Sequence, residues 1–73
     1  MMPAELKFKK TDMVRFQVEP SKAGIVMYDT MNARMKRIYG VRYLNVSSGK
    51  FETQEFEEYE LLTTLEGRRI LEG

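Results

Sequence analysis

The chain has 73 residues and a formal net charge of +1, and it contains neither cysteine nor histidine. This length predicts a single domain over residues 1–73, with residues 1–6 as a loosely held arm. Without these two residue types, disulfides, the usual zinc ligands and the commonest catalytic bases and thiol nucleophiles are absent. We therefore expect a protein that is not an enzyme and that uses no metal, cofactor or small-molecule substrate.

Hydropathy indicates where the protein is found. No apolar run approaches the ~18 residues of a membrane helix, and the first ten residues lack the apolar region of a signal peptide. The hydrophobic share of 42% and the charged share of 32% are ordinary for a globular domain. These features predict a cytoplasmic protein that does not contact a membrane.

Charge is unevenly distributed along the chain. Residues 1–50 carry ten basic and four acidic residues, a net charge of +6, whereas residues 51–73 carry two and seven, a net charge of −5. Such asymmetry can mark a nucleic-acid face or a two-sided interaction surface. The simpler interpretation, which we favour, is that basic and acidic strands pair with each other.

The first predicted strand region begins near Phe8. Within it Val14, Phe16 and Val18 alternate with polar residues, and this period of two is typical of a half-buried strand. Pro20 then interrupts the pattern, because proline has no backbone N–H for a central strand. Gly24, which permits positive φ or the close approach of another strand, begins the second strand.

Residues 29–37 allow two interpretations. Met31, Met35 and Ile38 are spaced as on one face of a helix, and Asp29 or Thr30 could cap it. The segment is short, however, and contains poor helix formers. A connecting loop or one irregular turn is therefore favoured over a short helix.

A hairpin closed by the turn dipeptide Ser48-Gly49 is the clearest unit of the sequence. Counting outward from a two-residue loop predicts the cross-strand pairs Val46–Phe51, Leu44–Thr53, Arg42–Glu55 and Val41–Phe56. Three pairs join residues that suit a pleated surface and one joins opposite charges, which supports this register.

After the hairpin the chain becomes acidic and then ends in a leucine-rich segment. Charges in and just after the fourth predicted strand would oppose edge-to-edge aggregation. Five glutamates lie there: Glu52, Glu55, Glu57, Glu58 and Glu60. Leu61, Leu62 and Leu65 predict a single helical or 3₁₀ turn that ends at Gly67. Residues 69–71 would supply a final short strand.

Four short motifs in this order invite comparison with a known family. They comprise Thr11, Asp12 and Val14; Gly24 and Val26; Tyr39, Val41, Arg42 and Tyr43; and Glu58 to Leu62. Together they resemble SH3-like barrels of the KOW and Tudor-like kind. Those barrels often read Gly-Asp-x-Val, then Gly-x-Val, then Tyr-x-Val-Arg-Tyr, and close with a Glu-Leu ending that packs a short turn over the barrel mouth. Thr11 stands where they prefer glycine.

The resemblance covers about residues 7–65 and implies an all-β fold. We expect a small SH3-like barrel of about five antiparallel strands, with a short 3₁₀ or helical turn near the C-terminus. The predicted core comprises Phe8, Val14, Phe16, Val26, Val41, Tyr43, Phe56, Leu62 and Ile70. Barrels of this kind bind nucleic acid, peptides or proteins, or serve as subunits of assemblies, and many occur in bacterial and phage proteins.

Two functions remain open on the sequence. The favoured one is a module for protein binding or self-association, because six methionines are a high count and methionine suits adaptable surfaces. The alternative is nucleic-acid binding by basic residues interleaved with aromatics. The candidate contact residues for either partner are Met31, Arg34, Met35, Lys36, Arg37, Tyr39 and Arg42. A less favoured alternative is an aromatic cage drawn from Tyr28, Tyr39, Phe51 and Tyr59.

Overall fold

A computed structural model describes residues 6–73, so most of the expected N-terminal arm lies outside the described residues. In chain order the elements are β1 (Met13–Phe16), β2 (Glu19–Met31), β3 (Arg37–Asn45), β4 (Lys50–Glu57), a 3₁₀ turn (Glu58–Glu60), β5 (Leu61–Thr63) and helix α1 (Thr64–Glu72). All strand pairs are antiparallel.

The five strands form one sheet in the order β4-β3-β2-β1-β5. Strands β4 and β5 are therefore its two edges, although only the 3₁₀ turn separates them in sequence. A flat sheet of this width would hold its edges about 19 Å apart, whereas the 3₁₀ turn spans only about 8 Å. The sheet must curl until its edges approach each other, as in a small barrel. The predicted all-β class, with about five antiparallel strands and a turn near the C-terminus, is confirmed.

Strand β2 begins five residues earlier than predicted, at Glu19 rather than Gly24. Phe16 lies opposite Glu19, but Arg15 lies opposite Ala23, so residues 20–22 bulge out of the ladder. Pro20 is tolerated in the bulge because no ladder hydrogen bond is required of it there. Val18 was expected to share a buried face with Phe16, but it lies in the preceding turn and is 94% exposed.

The core lies on the concave side of the curled sheet. Six of the predicted core residues are buried: Phe8, Val14, Phe16, Val26, Val41 and Leu62. Tyr43 and Phe56 are partly buried against them. The prediction was wrong for Ile70, which is 51% exposed because it sits near the end of α1.

Three further residues belong to the buried set: Ile38, Tyr39 and Leu61. Tyr39 lies opposite Phe56 on the inner face of the β3–β4 pair. Its ring is nearly perpendicular to that of Phe8, at a centroid distance of 5.3 Å. We expected the first strand region to begin near Phe8, but β1 begins only at Met13. Phe8 instead packs into the core from the segment before β1.

Gly24 is required by close approach rather than by its φ. A Cβ at this position would lie 2.5 Å from Cγ1 of Val41 and 3.3 Å from Cζ of Phe16. Real side chains do not tolerate the first of these separations. The absence of a side chain at Gly24 thus lets two core residues pack against the backbone of β2.

The β3–β4 hairpin differs from prediction by two residues. Its loop is residues 46–49, and the pairs include Leu44 with Phe51 and Arg42 with Thr53. Asn45 sets this longer loop: its side-chain Oδ1 accepts the N–H of Ser47 at 3.0 Å, and its carbonyl accepts that of Gly49 at 2.8 Å. Because the offset is even, each residue keeps its predicted face.

The segment between β2 and β3 is a turn of residues 32–36, as favoured over a helix. Asn32 organises it, since its Oδ1 accepts the backbone N–H groups of both Arg34 and Lys36, at 2.9 and 3.0 Å. Such local bonds by asparagine compete with helix formation. The turn is shorter than predicted because β2 continues to Met31.

The C-terminal segment is helical, so the predicted strand at residues 69–71 is wrong. Thr63 and Glu66 form a capping box, in which the Thr63 hydroxyl accepts the Glu66 N–H at 3.0 Å and the Glu66 carboxylate accepts the Thr63 N–H at 2.9 Å. Gly67 does not end the helix but lies inside it, buried against β1. The last strand is instead β5.

Candidate functional site

Apolar side chains cover the convex side of the sheet across four strands. They are Met13 of β1, Ile25 and Met27 of β2, Leu44 of β3 and Phe51 of β4, and their exposed fractions range from 37% to 62%. The register brings them together, because Met13 lies opposite Ile25 and Leu44 lies opposite Phe51. These five residues are called the outer apolar face below. Exposed apolar patches of this kind mark interaction sites in soluble proteins.

The outer apolar face lines an open groove of about 550 Å³. Ala23, Gly24, Arg42 and Tyr43 complete the lining. Arg42 is its one charged residue, and the guanidinium lies 5.0 Å from the ring centroid of Phe51. This distance is within the range of a cation–π contact. The groove therefore offers an apolar floor with one positive charge beside an exposed aromatic ring.

The sequence contains a signal for this face in the run from Ile25 to Tyr28, which is apolar at every position. A strand buried on one side alternates apolar and polar residues, whereas a continuous run needs cover on both sides. Within the described chain, helix α1 does not line the groove beside Ile25 and Met27. The second apolar side of β2 is left at the surface.

Glutamates form a second feature, along the β4 edge of the sheet and the 3₁₀ turn after it. They are Glu52, Glu55, Glu57, Glu58 and Glu60, called the acidic edge below. Across residues 6–73, the ion pairs are Lys7–Glu66, Lys22–Glu19, Arg37–Asp29 and Arg68–Glu72. None involves the acidic edge. The predicted Arg42–Glu55 pair is wrong because Arg42 lies opposite Thr53. The acidic strand β4 does pair with the basic strand β3, as favoured, but without an ion pair between them among residues 6–73.

Neutral donors, rather than cations, contact these carboxylates. Glu55 accepts the Tyr28 hydroxyl at 2.6 Å, and Glu52 accepts the Asn45 side-chain amide at 3.0 Å. Glu58 accepts the hydroxyl of buried Tyr39 at 3.3 Å. The charge of the acidic edge is thus solvated by hydrogen bonds but is not neutralised.

Nearby carboxylates contribute to the raised pKa values of three tyrosines. The hydrogen bond to Glu55 raises the pKa of Tyr28. Burial, followed by the charge of Glu58, raises the pKa of Tyr39. The charges of Glu57 and Glu60 raise the pKa of Tyr59. All three shifts favour the protonated phenol, so the surface around β4 combines carboxylates with neutral tyrosine hydroxyls.

The contact residues predicted from the sequence do not form one surface. Arg34, Met35 and Lys36 lie on the exposed turn, where Met35 has a φ of 61°, and Met31 precedes them at the end of β2. Arg37 is engaged by Asp29 through a 2.6 Å contact. The other two lie elsewhere, because Tyr39 is fully buried and Arg42 belongs to the groove.

The four residues considered for an aromatic cage do not share a cavity. Phe51 lines the groove, but Tyr28, Tyr39 and Tyr59 do not. Tyr28 lies across Gly40, where any side chain would collide with its ring. Tyr39 is inaccessible in the core. A cage would need several exposed rings around one cation, and this set does not provide them.

Residues 6–73 contain no group of three carboxylates placed to hold a metal ion. They also contain no helix with the length and apolar character needed to cross a membrane.

Comparison with protein-family models, with curated proteins and with solved structures finds no match to this chain. The class of the protein therefore rests on its own strand order: it is a small, five-stranded antiparallel β domain with one C-terminal helix. Its candidate functional features are the outer apolar face and the acidic edge.

Proposed function

We propose that this chain is a non-enzymatic SH3-like barrel that binds a partner protein through its outer apolar face. The observation that supports the proposal is the groove, whose walls are apolar and exposed on four adjacent strands. Burying apolar area contributes about 25 cal/mol per Å² removed from water. A partner that covered Phe51, Ile25 and Leu44 would therefore gain affinity, because these side chains are exposed in the free chain.

Details of the segment before β1 support the SH3-like part of the proposal. Thr11 has a φ of 79°, a conformation in which glycine is favoured, and it stands where the resembling barrels prefer glycine. The next residue, Asp12, accepts the backbone N–H of Lys9 at 2.9 Å and so closes a tight turn. Val26 then joins this turn to β2, because its N–H donates to the Asp12 carbonyl at 2.9 Å.

Charge contacts favour a protein partner over nucleic acid. Arg37 and Lys7 each have a carboxylate partner, at 2.6 and 3.1 Å, and Arg42 lies against Phe51. Only Arg34 and Lys36 of the predicted basic set lie on the exposed turn without an ion pair among the described residues. Lys9 and Lys10 are also exposed and form no ion pair within residues 6–73, but they lie before β1 rather than on this turn. The two charges of the turn would by themselves neutralise few phosphates, and affinity for nucleic acid grows with that number.

Selection of a random peptide library on the immobilised chain would test the proposal. We expect enriched peptides to carry apolar anchors and to lose binding to Phe51→Asp and Ile25→Asp. Val18→Asp is the matched control, since Val18 is 94% exposed and lies outside the outer apolar face. Circular dichroism would establish that all three variants fold.

Sedimentation of the free chain at high concentration would examine self-association in the same series. Concentration-dependent dimers that Phe51→Asp abolishes would identify a second copy as the partner protein. The proposal would be refuted by a monomer from which no peptide is selected, or by peptides that bind both face variants as well as the control.

A further inference from the structure

Strand β4 is the longer free edge of the sheet. It has eight residues, and its one strand neighbour is β3, so half of its backbone N–H and C=O groups point away from the sheet. The opposite edge, β5, has three residues and leads directly into α1. The β4 edge is therefore the place where an additional strand finds the most unpaired backbone.

Phe51 connects this edge to the outer apolar face. It belongs to β4, lies opposite Leu44 of β3 and forms one wall of the groove. Side chains of an added strand would alternate between the two faces of the sheet. One of them would lie beside Phe51, at the open side of the groove. Occupation of the edge and occupation of the groove are thus compatible with a single extended ligand.

The net charge of β4 determines which kind of added strand can pair favourably with it. Strand β4 has one lysine and three glutamates, a net charge of −2, and none of these glutamates forms an ion pair within residues 6–73. A second copy paired through the same edge would bring like charges together, which is destabilising across strands. A segment containing lysine or arginine would supply the missing counter-charges instead.

We propose that β4 accepts an extended, basic segment of the partner protein as a sixth strand, with an apolar side chain of that segment beside Phe51. This inference rests on the proposed function and names the partner's chemistry. Main-chain hydrogen bonds supply affinity in this mode of recognition, and alternate side chains supply specificity. The acidic edge selects basic segments and repels acidic strand edges, including its own copy.

A fluorescent nine-residue peptide of alternating lysine and valine would test the inference on the whole chain. We expect binding at low salt, with slowed amide exchange at those β4 residues whose N–H groups point away from β3. A peptide with the central valine replaced by proline would bind much more weakly, because it loses a donor and the extended geometry. The counterpart of alternating glutamate and valine would not bind.

Variants that remove single carboxylates would measure how much the charge of β4 contributes to affinity for the lysine peptide. With a valine beside Phe51, the lysines of the alternating peptide lie on the opposite face of the sheet, where Glu52 is. In Glu52→Gln, the amide oxygen preserves the acceptor for Asn45, and we expect affinity for the lysine peptide to fall about two- to fivefold. Glu72→Gln on α1 removes an exposed carboxylate away from β4, together with its ion pair to Arg68, and should leave binding unchanged.

The possible failures differ from those of the proposed function. Equal binding of the lysine and proline peptides, or no protection at β4, would overturn strand addition. Protection of β4 that rises with protein concentration in the absence of peptide would overturn the basic segment in favour of a second copy. If library peptides bind the outer apolar face but leave β4 exchange unchanged, the proposed function stands and strand addition fails.

Discussion

Gly67 of helix α1 lies directly over the side chain of Arg15 in β1. A Cβ at position 67 would be 2.7 Å from Cγ of Arg15 and 3.1 Å from its Cβ. On its other side, the Arg15 guanidinium donates to the carbonyl of Ser21 at 3.0 Å, within the bulge of β2. The aliphatic part of Arg15 therefore packs against the helix, and its guanidinium supports the bulge through a hydrogen bond.

Gly67→Ala should lower the free energy of unfolding even though alanine is the better helix former. The intrinsic gain is about 1 kcal/mol, whereas forcing a methyl group into a close contact typically costs ~1–3 kcal/mol. We expect a net loss of roughly 1 kcal/mol in urea titrations, since Cγ of Arg15 is too near the backbone to move freely.

The control for this prediction is the same change in an Arg15→Ala background. There the nearest atom, Cγ, is gone and only the contact with Cβ at 3.1 Å remains, so Gly67→Ala should be less destabilising by about 1 kcal/mol than in the native background. A loss of equal size in both backgrounds would show that the contact with Arg15 is not the reason for glycine at position 67.

Thr11→Gly should stabilise the protein. Thr11 has a φ of 79°, and a β-branched residue is strained in this region, at a cost of ~1–3 kcal/mol. Glycine removes the strain, but it also adds backbone entropy to the unfolded chain, which destabilises the folded state by about 0.5–1 kcal/mol. We expect a net gain of about 0.5–1 kcal/mol in the same titration.

Thr11→Ala separates strain from the loss of the hydroxyl. Alanine keeps a Cβ at positive φ, so it should gain much less stability than glycine does. The interpretation would be contradicted if alanine and glycine stabilised the chain equally.

Alternating residues predicted the strands well because burial on one face imposes a period of two. The same pattern does not determine register. A single side chain, that of Asn45, lengthens the hairpin loop through its bond to Ser47 and moves every β3–β4 pair by two residues. Since the period is unchanged, the predicted core survived this error, but the predicted Arg42–Glu55 pair did not.

The candidate site was harder to predict because it depends on which positions remain uncovered. Tyr39 was expected at the surface, but Phe8 covers it from outside the sheet, at a centroid distance of 5.3 Å. Ile25 and Met27 were included in a strand, yet nothing in a strand pattern indicates that their outward side lacks cover. Such information depends on tertiary placement rather than on local propensity.

We expect nucleic acid to bind weakly. With Arg37 held by Asp29, the exposed turn contributes Arg34 and Lys36, and we expect no binding of non-specific duplex DNA or RNA in the micromolar range at about 50 mM salt. Fluorescence polarisation with labelled duplexes would measure this. Tight binding that Arg34→Glu with Lys36→Glu abolishes, and that Lys22→Glu preserves, would establish the nucleic-acid alternative in place of our proposal.

Stability should decrease on the alkaline side of pH 10. The pKa values of Tyr28, Tyr39 and Tyr59 are raised above the ordinary 10.0 in the folded chain. As pH rises, the unfolded chain therefore releases these protons first. The free energy of unfolding begins to decline near the ordinary tyrosine pKa and continues to decline until pH has passed the raised pKa values of the folded chain. Urea midpoints measured from about pH 8 to 11.5 would record the decline. Glu55→Gln should lessen it by lowering the pKa of Tyr28, whereas Glu72→Gln should not; equal declines in both variants would contradict this assignment.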